Sequence, residues 1–215
     1  MAKISSITAK VWNFIDKDLA LRRDIFRGLV NKRRVASYIK KSLDLDVSLD
    51  AIISAIRRYP HKEELGLGYN KIRVILKESK ISTKTNIALI AMKRENEVLN
   101  LLPNIFPFIE LSRGDVMRLS EGRESIKILI DQKNVKRILK VIPETKILKV
   151  KQNLSELSIH FGKEANIGVI APILTELAIN NINIIEAISC LPEYMIFLEE
   201  GDLLNAYEIL LKFLK

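Results

Sequence analysis

An internal repeat is the feature of this sequence that most restricts its fold. From about residue 81 the apolar residues follow the order strand, helix, strand, strand, helix, and the same order recurs about 70 residues later. A β-α-β-β-α order that recurs at this spacing predicts two copies of one supersecondary unit. The corresponding predicted segments are 87–92 and 157–162, 126–130 and 194–198, and 135–139 and the helix from 204.

The second copy ends early. The chain stops at Lys215, directly after the last predicted helix, so the fourth strand that would complete a βαββαβ unit is missing from this copy. We expect that sheet edge to be short, covered, or filled by another strand of this chain or of a partner. The missing strand therefore favours a homodimer.

The first 60 residues are predicted to be helical. Apolar residues recur at helical spacing in three or four short segments, and Pro60 ends the last of them. Residues 62–70 are polar and contain two glycines, which indicates a boundary. Residues 71–78 fit a short helix or a strand. We therefore expect α+β architecture with three domains: a helical domain at 1–68, a first module at 81–152 and a second at 153–215.

Charge is unevenly distributed along the chain. Its net charge of +9 divides into +6 for residues 1–70, +9 for 71–151 and −6 for 152–215. A basic front can bind a polyanion such as nucleic acid, and it is equally typical of a solvated lysine-rich surface. No run of 18 apolar residues is present, so no membrane span is predicted. The single cysteine, Cys190, lies in an apolar segment and is expected to be core, which together with the absence of disulfides suits a reducing cytoplasm.

The second copy contains a turn suited to a small anion. A predicted strand ends at Gly162, Gly168 opens a helix over 167–179, and the next strand starts after Asn180 and Asn181. Backbone N–H groups at a helix start attract a carboxylate, and glycine lets a ligand approach the main chain. A plain turn with nothing bound is the alternative.

This stretch resembles the ACT domain, most closely the copies attached to aspartate kinases. Asn166, Ile167 and Gly168 match the family's loop, and Ala178 with residues 181–184 matches its helix-to-strand step. The resemblance implies ferredoxin-like βαββα(β) modules, side-by-side sheet pairing and an amino acid at the module interface. In the first copy the equivalent turn, residues 93–96, has no glycine, so that copy is interpreted as architectural. The candidate ligand-binding residues are Ala165, Asn166, Ile167, Gly168, Val169, Asn181, Ile182, Asn183 and Ile184.

The helical front has helix-turn-helix features and is analogous to winged-helix regulators. Two helices, at 32–42 and 48–59, are joined by a turn of about five residues and carry several basic side chains. Acidic residues at 44, 46 and 50 oppose this interpretation, because they repel phosphates at the start of the second helix. A helical domain for dimerisation or protein contact is the alternative. The candidate DNA-binding residues are Lys32, Arg33, Arg34, Lys40, Lys41, Ser48, Ser54, Arg57 and Arg58.

No catalytic motif is found. The sequence lacks a phosphate loop, a dinucleotide fingerprint and a nucleophile elbow, and neither histidine has a metal-ligand neighbour at standard spacing. We therefore expect no cofactor, no metal and no enzyme activity. Two functions remain open: a transcriptional regulator that senses a small ligand such as an amino acid through its ACT modules, or a regulatory protein that binds a metabolic enzyme and does not bind DNA.

Overall fold

The chain divides into two units, residues 1–67 and residues 68–215. The structure is a computed structural model that describes residues 6–60, 69–162 and 168–214. Each unit has its own hydrophobic core. No helix within the described ranges is both long and apolar enough to cross a membrane.

Residues 6–60 of the amino-terminal unit form four short helices, within the three or four that were predicted. Each begins with a polar side chain that accepts a hydrogen bond from a first-turn N–H group: Ser6, Asp18, Asn31 and Ser48. A wing would require strands, and residues 6–60 contain none, so the winged-helix analogy stays a prediction. The helices are α1 (Ile7–Lys17), α2 (Leu19–Phe26), α3 (Lys32–Ser42) and α4 (Leu49–Arg57).

The second unit is α+β. Residues 71–78, left open between helix and strand, are helical. Along the chain its elements are α5 (Tyr69–Glu78), β1 (Lys80–Lys93), α6 (Asn96–Leu101), β2 (Met117–Glu121), β3 (Ser125–Asp131), α7 (Val135–Ile138), β4 (Ile147–His160), α8 (Ile170–Ile179), β5 (Glu186–Cys190), β6 (Glu193–Glu199) and α9 (Leu203–Leu214). The six strands of the described residues form one antiparallel sheet in the order β2-β3-β1-β4-β6-β5.

Two long strands occupy the centre of this sheet. β1 and β4 have 14 residues each and pair along their length, from Lys80 opposite His160 to Met92 opposite Ile147. Each contains a bulge with a left-handed asparagine, Asn86 (φ 56°) and Asn153 (φ 58°). The separate strands predicted at 147–150 and 157–161 were wrong, because the polar residues between them form the bulge and do not interrupt the strand.

The long strands are shared between the two modules. The first module is completed by the start of β4, which pairs with the end of β1, and the second is completed by the start of β1, residues 80–84, which pairs with the end of β4. Another strand of the same chain therefore supplies the missing fourth strand, as one of the alternatives predicted. The missing strand no longer argues for a dimer.

The strand pairing distinguishes two faces of the sheet. The helix-covered face holds two apolar clusters, one around Ile90 and Ile128 and one around Leu157 and Ile196. The opposite face curls on itself, since Lys127 of β3 reaches Glu186 of β5 at 2.6 Å. Between its two halves lies a third cluster, which contains Ile87, Leu89, Ala91, Val116, Leu129, Leu154, Met195 and Phe197.

Cys190 was expected in the core and is exposed. It lies at the end of β5, which is an edge strand of the sheet. Residues on an edge strand are covered on one side only, and apolar neighbours in the sequence do not reveal which strand is the edge.

Candidate functional site

The predicted ligand turn is only partly described. Ala165, Asn166 and Ile167 lie outside the described residues. Gly168 has a φ of +85°, a backbone conformation that glycine adopts without strain. Helix α8 begins at Ile170, later than the predicted start at 167, and Val169 is 2% exposed within the core of the second module. Val169 therefore contributes to packing through its side chain.

The step from α8 to β5 uses two of its amides to cap the helix. The N–H of Asn181 (φ 58°) donates to Ala178 O at 3.1 Å, and the N–H of Ile182 donates to Leu177 O at 3.0 Å. The Ile182 side chain is buried in the same core as Val169. Asn183 is exposed and Ile184 is half-buried, and neither N–H donates to another described residue. The core and the helix cap thus account for Val169, Asn181 and Ile182, whereas Asn183 is exposed.

Four of the candidate DNA-binding residues lie around one groove in the helical unit. Lys32 and Arg33 at the start of α3 face Ser54 and Arg57 of α4 across a cavity of about 540 Å³. Asp50 lines the same groove and lowers its positive charge. Three cations and one acid thus line this groove.

The other basic candidates do not join this groove. Lys40 donates to Val47 O at 2.7 Å, and Arg58 donates to Thr8 Oγ1 at 3.2 Å. Ser48 Oγ caps α4 by accepting a hydrogen bond from the Ala51 N–H at 3.3 Å. These three side chains stabilise the helical unit. Arg34 and Lys41 are exposed on α3.

The structure reveals a charged cluster in the first module that sequence reasoning missed. Asp115, 6% exposed, accepts hydrogen bonds from Lys133 Nζ at 2.5 Å, Asn134 Nδ2 at 2.9 Å and the Glu110 N–H at 3.2 Å. The bond from Lys133, supported by the other two, lowers the pKa of Asp115 to about 2. The same bond raises the pKa of Lys133. One acid and three cations within the segment 131–137 were the available signal.

An equivalent ion pair holds the shared strands in both modules. Lys84 of β1 contacts Asp131 of β3 at 2.8 Å, and Lys151 of β4 contacts Glu199 of β6. Each lysine lies just before the left-handed asparagine of its own bulge, and each acid is the last residue of its strand. Each pair therefore ties the segment that a long strand contributes to the other module back to a strand of its own module.

The curled face also contains an ion pair in which the carboxylate is buried. Arg118 of β2 donates to Glu156 Oε1 of β4 at 3.2 Å and contacts Met195 of β6. Ser158 Oγ donates to the same carboxylate oxygen at 2.7 Å. Glu156 is 5% exposed, and its Oε2 atom has no hydrogen-bond partner among the described residues. The pair bridges the two halves of the curled sheet.

The described residues do not form a candidate metal site. No group of three or more His, Cys, Asp or Glu side chains within the described ranges is placed to hold a metal ion.

Comparisons with known proteins give the fold. No protein-family model and no curated protein matches this sequence. Among solved structures, the aspartokinase alpha and beta subunits match with 16% identity and a TM-score of 0.52, over 63% of this chain and 92% of that one. The aspartate kinase of Clostridium acetobutylicum (20%, TM-score 0.48) and the regulatory subunit of aspartate kinase from Thermus thermophilus (10%, TM-score 0.49) match over 60% and 61% of this chain. The matched region spans 33% of the Clostridium chain and 95% of the Thermus chain. The likeness to the aspartokinase alpha and beta subunits supports an α+β, ACT-type fold for the repeated modules.

Proposed function

We propose that this chain is a non-catalytic regulator that senses a small ligand, such as an amino acid, through its second ACT-type module. The observation that carries the proposal is the pair of turns that flank α8. Val169 before the helix and Ile182 after it are anchored in one core, whereas Asn183 is exposed and Gly168 adopts a glycine conformation. Anchored turns with open polar groups are pre-organised for binding. The whole proposed ligand set includes the residues at 165–167.

The output of the regulator is proposed to be transcription. The groove between α3 and α4 has three cations and one acid, which suits a phosphate backbone more than base edges. A protein that docks on a metabolic enzyme through the same helical unit is the second candidate, because Asp50 weakens the groove for nucleic acid. A homodimer in the cytoplasm remains part of the proposal for either output.

Amino-acid sensing predicts a thermal shift that depends on Asn183. In a screen of the twenty amino acids, a ligand at one hundred times its Kd raises the free energy of unfolding by about 2.7 kcal/mol. The Asn183→Ala variant is expected to bind at least tenfold more weakly and to keep the melting temperature of the unliganded protein, because the side chain is exposed. The readouts are differential scanning fluorimetry and calorimetric titration.

Asn205→Ala is the matched control, since Asn205 is an exposed asparagine on α9 of the same module. It is expected to bind the ligand like the parent protein. Failure of all twenty amino acids to shift the melting temperature, or equal loss of binding in both variants, contradicts sensing at this turn.

If the groove binds DNA, the salt dependence of the affinity for DNA is expected to decrease when cations of the groove are removed. Each phosphate contact contributes about one unit to the slope of log K against log salt, so Arg33→Gln/Arg57→Gln is expected to lower that slope by about two. Lys10→Gln/Lys17→Gln removes the same charge from exposed positions of α1 and is expected to leave the slope unchanged. Fluorescence anisotropy with labelled duplex DNA measures both. If the parent protein does not bind even at low salt, the enzyme-docking output replaces transcription.

A further inference from the structure

The two modules provide an internal comparison of what the fold requires. Strand pairing sets their offset at 68 in β2 and β3, because Arg118 pairs with Leu129 and Glu186 pairs with Phe197. Both modules have an acid at the end of the second hairpin strand, a short turn and then a helix that begins with a buried apolar residue, Val135 or Leu203. These shared features belong to the architecture.

Four cations near this turn belong to the first module alone. With the same offset, the corresponding positions of the second module carry no charge, so the fold does not depend on cations there. Asp115, the buried acid that positions Lys133, likewise corresponds to the neutral Asn183. The four cations Arg113, Lys133, Lys136 and Arg137 correspond to Asn181, Gly201, Leu204 and Asn205.

These cations line two adjoining cavities. The larger, of about 590 Å³, is lined by Lys133 and Lys136 together with Asn86 and Gln152 of the long strands. The smaller, of about 200 Å³, is lined by Arg113, Lys133 and Arg137. Lys133 lines both cavities, so the two cavities meet at this side chain. Cavities of several hundred Å³ are the size of small-metabolite sites.

The charges around these cavities do not balance. Each acid is already paired: Asp131 with Lys84 at 2.8 Å, Asp115 with Lys133 at 2.5 Å, and Glu110 with Arg113 at 2.9 Å. Lys136 and Arg137 are exposed, and within the described part of the chain neither has a carboxylate within 4.0 Å. Two positive charges are thus left without a counter-ion beside a fixed lysine.

We propose that the first module binds a small phosphorylated molecule, with its phosphoryl group held by Lys133, Lys136 and Arg137. A phosphate monoester carries about −1.5 to −2 charges near neutral pH, which matches the two unpaired cations, whereas a monocarboxylate leaves one unbalanced. Arginine adds bidentate contacts to phosphate oxygens. Asn86 and Gln152 supply polar groups for the rest of the molecule in the larger cavity. This site is separate from the proposed amino-acid turn.

The test is a titration of the full chain with inorganic phosphate and with glycerol 3-phosphate, at constant ionic strength set by chloride. Both probes are expected to bind, the ester more tightly because it also occupies the larger cavity. Lys136→Gln/Arg137→Gln is expected to weaken both at least tenfold without changing the unliganded melting temperature. The matched control, Arg123→Gln/Lys149→Gln, removes two exposed cations elsewhere in the first module and is expected to bind like the parent protein.

Three results overturn the proposal. They are no saturable binding of either probe, equal weakening in the site variant and the control, and acetate binding as tightly as phosphate. Because Lys136 and Arg137 lie outside the Gly168 turn, loss of phosphate binding is measured independently of any amino-acid response, and either proposal can fail alone.

Discussion

Replacing Phe197 by alanine is expected to lower the free energy of unfolding by about 3–5 kcal/mol, the range for truncation of a buried aromatic side chain. Phe197 is fully buried on the curled face of the sheet, in a cluster that also contains Ile87 and Leu129 from the other half. Since β1 and β4 pass through both modules, the loss is expected to destabilise both together. Urea unfolding followed by circular dichroism measures the change.

Phe106→Ala provides the control for this prediction. Phe106 is 56% exposed in the first module, so its truncation is expected to cost about 1 kcal/mol or less. A second readout, hydrogen exchange, reports each module separately. If Phe197→Ala increases exchange in the second module and leaves β2 and β3 protected, the two modules are not coupled through the curled face.

Removing Arg118 is expected to cost about 2–3 kcal/mol, below the range for a fully buried ion pair because the arginine side chain retains 27% exposure. Arg118→Leu leaves Glu156 buried without its cation, and Oε2 of that carboxylate already lacks a hydrogen-bond partner. The double variant Arg118→Leu/Glu156→Leu removes the charge as well, and it is expected to recover most of the lost stability. Urea unfolding of the four proteins gives the coupling energy.

A different charge on the same strand controls for nonspecific effects in this cycle. Glu121 is exposed at the end of β2, whereas its neighbour Ser120 is half-buried on the opposite face. Glu121→Gln therefore changes β2 without touching the curled face. It is expected to alter stability by about 0.5 kcal/mol or less. Additive effects of Arg118→Leu and Glu156→Leu contradict the interpretation that the two side chains act as a pair.

Helical elements of the first unit were predictable because local chemistry sets them. Apolar spacing located all four helices, and Asp18 and Ser48 cap the helices that they were expected to cap. The closing helix at 203–214 also matches its prediction. These features depend on contacts within a few residues, which a sequence displays directly.

The shared strands were not predictable in the same way. Residues 82–85 are polar because the start of β1 pairs with β4 on one side and has no paired strand on the other, and residues 151–153 are polar because β4 bulges there. The spacing of apolar residues alone predicts loops for both segments. The pairing of Lys80 with His160 joins residues 80 positions apart, and no local signal records such a contact.

The charged cluster of the first module was hidden for a related reason. Its members come from the loop before β2 and from the turn after β3, and only the folded sheet brings Asp115 next to Asn134 and Lys133. In the sequence these residues look like part of a general lysine-rich surface. The comparison of the two modules was needed to separate these charges from the scaffold.

The shared central strands also bear on how such a protein is inherited. A gene segment that encodes either repeat alone specifies a sheet with one unfilled edge, because the residues that fill it are encoded with the other repeat. Neither half can then be lost, duplicated or exchanged without leaving its sister incomplete. Selection therefore acts on the pair as a single heritable part.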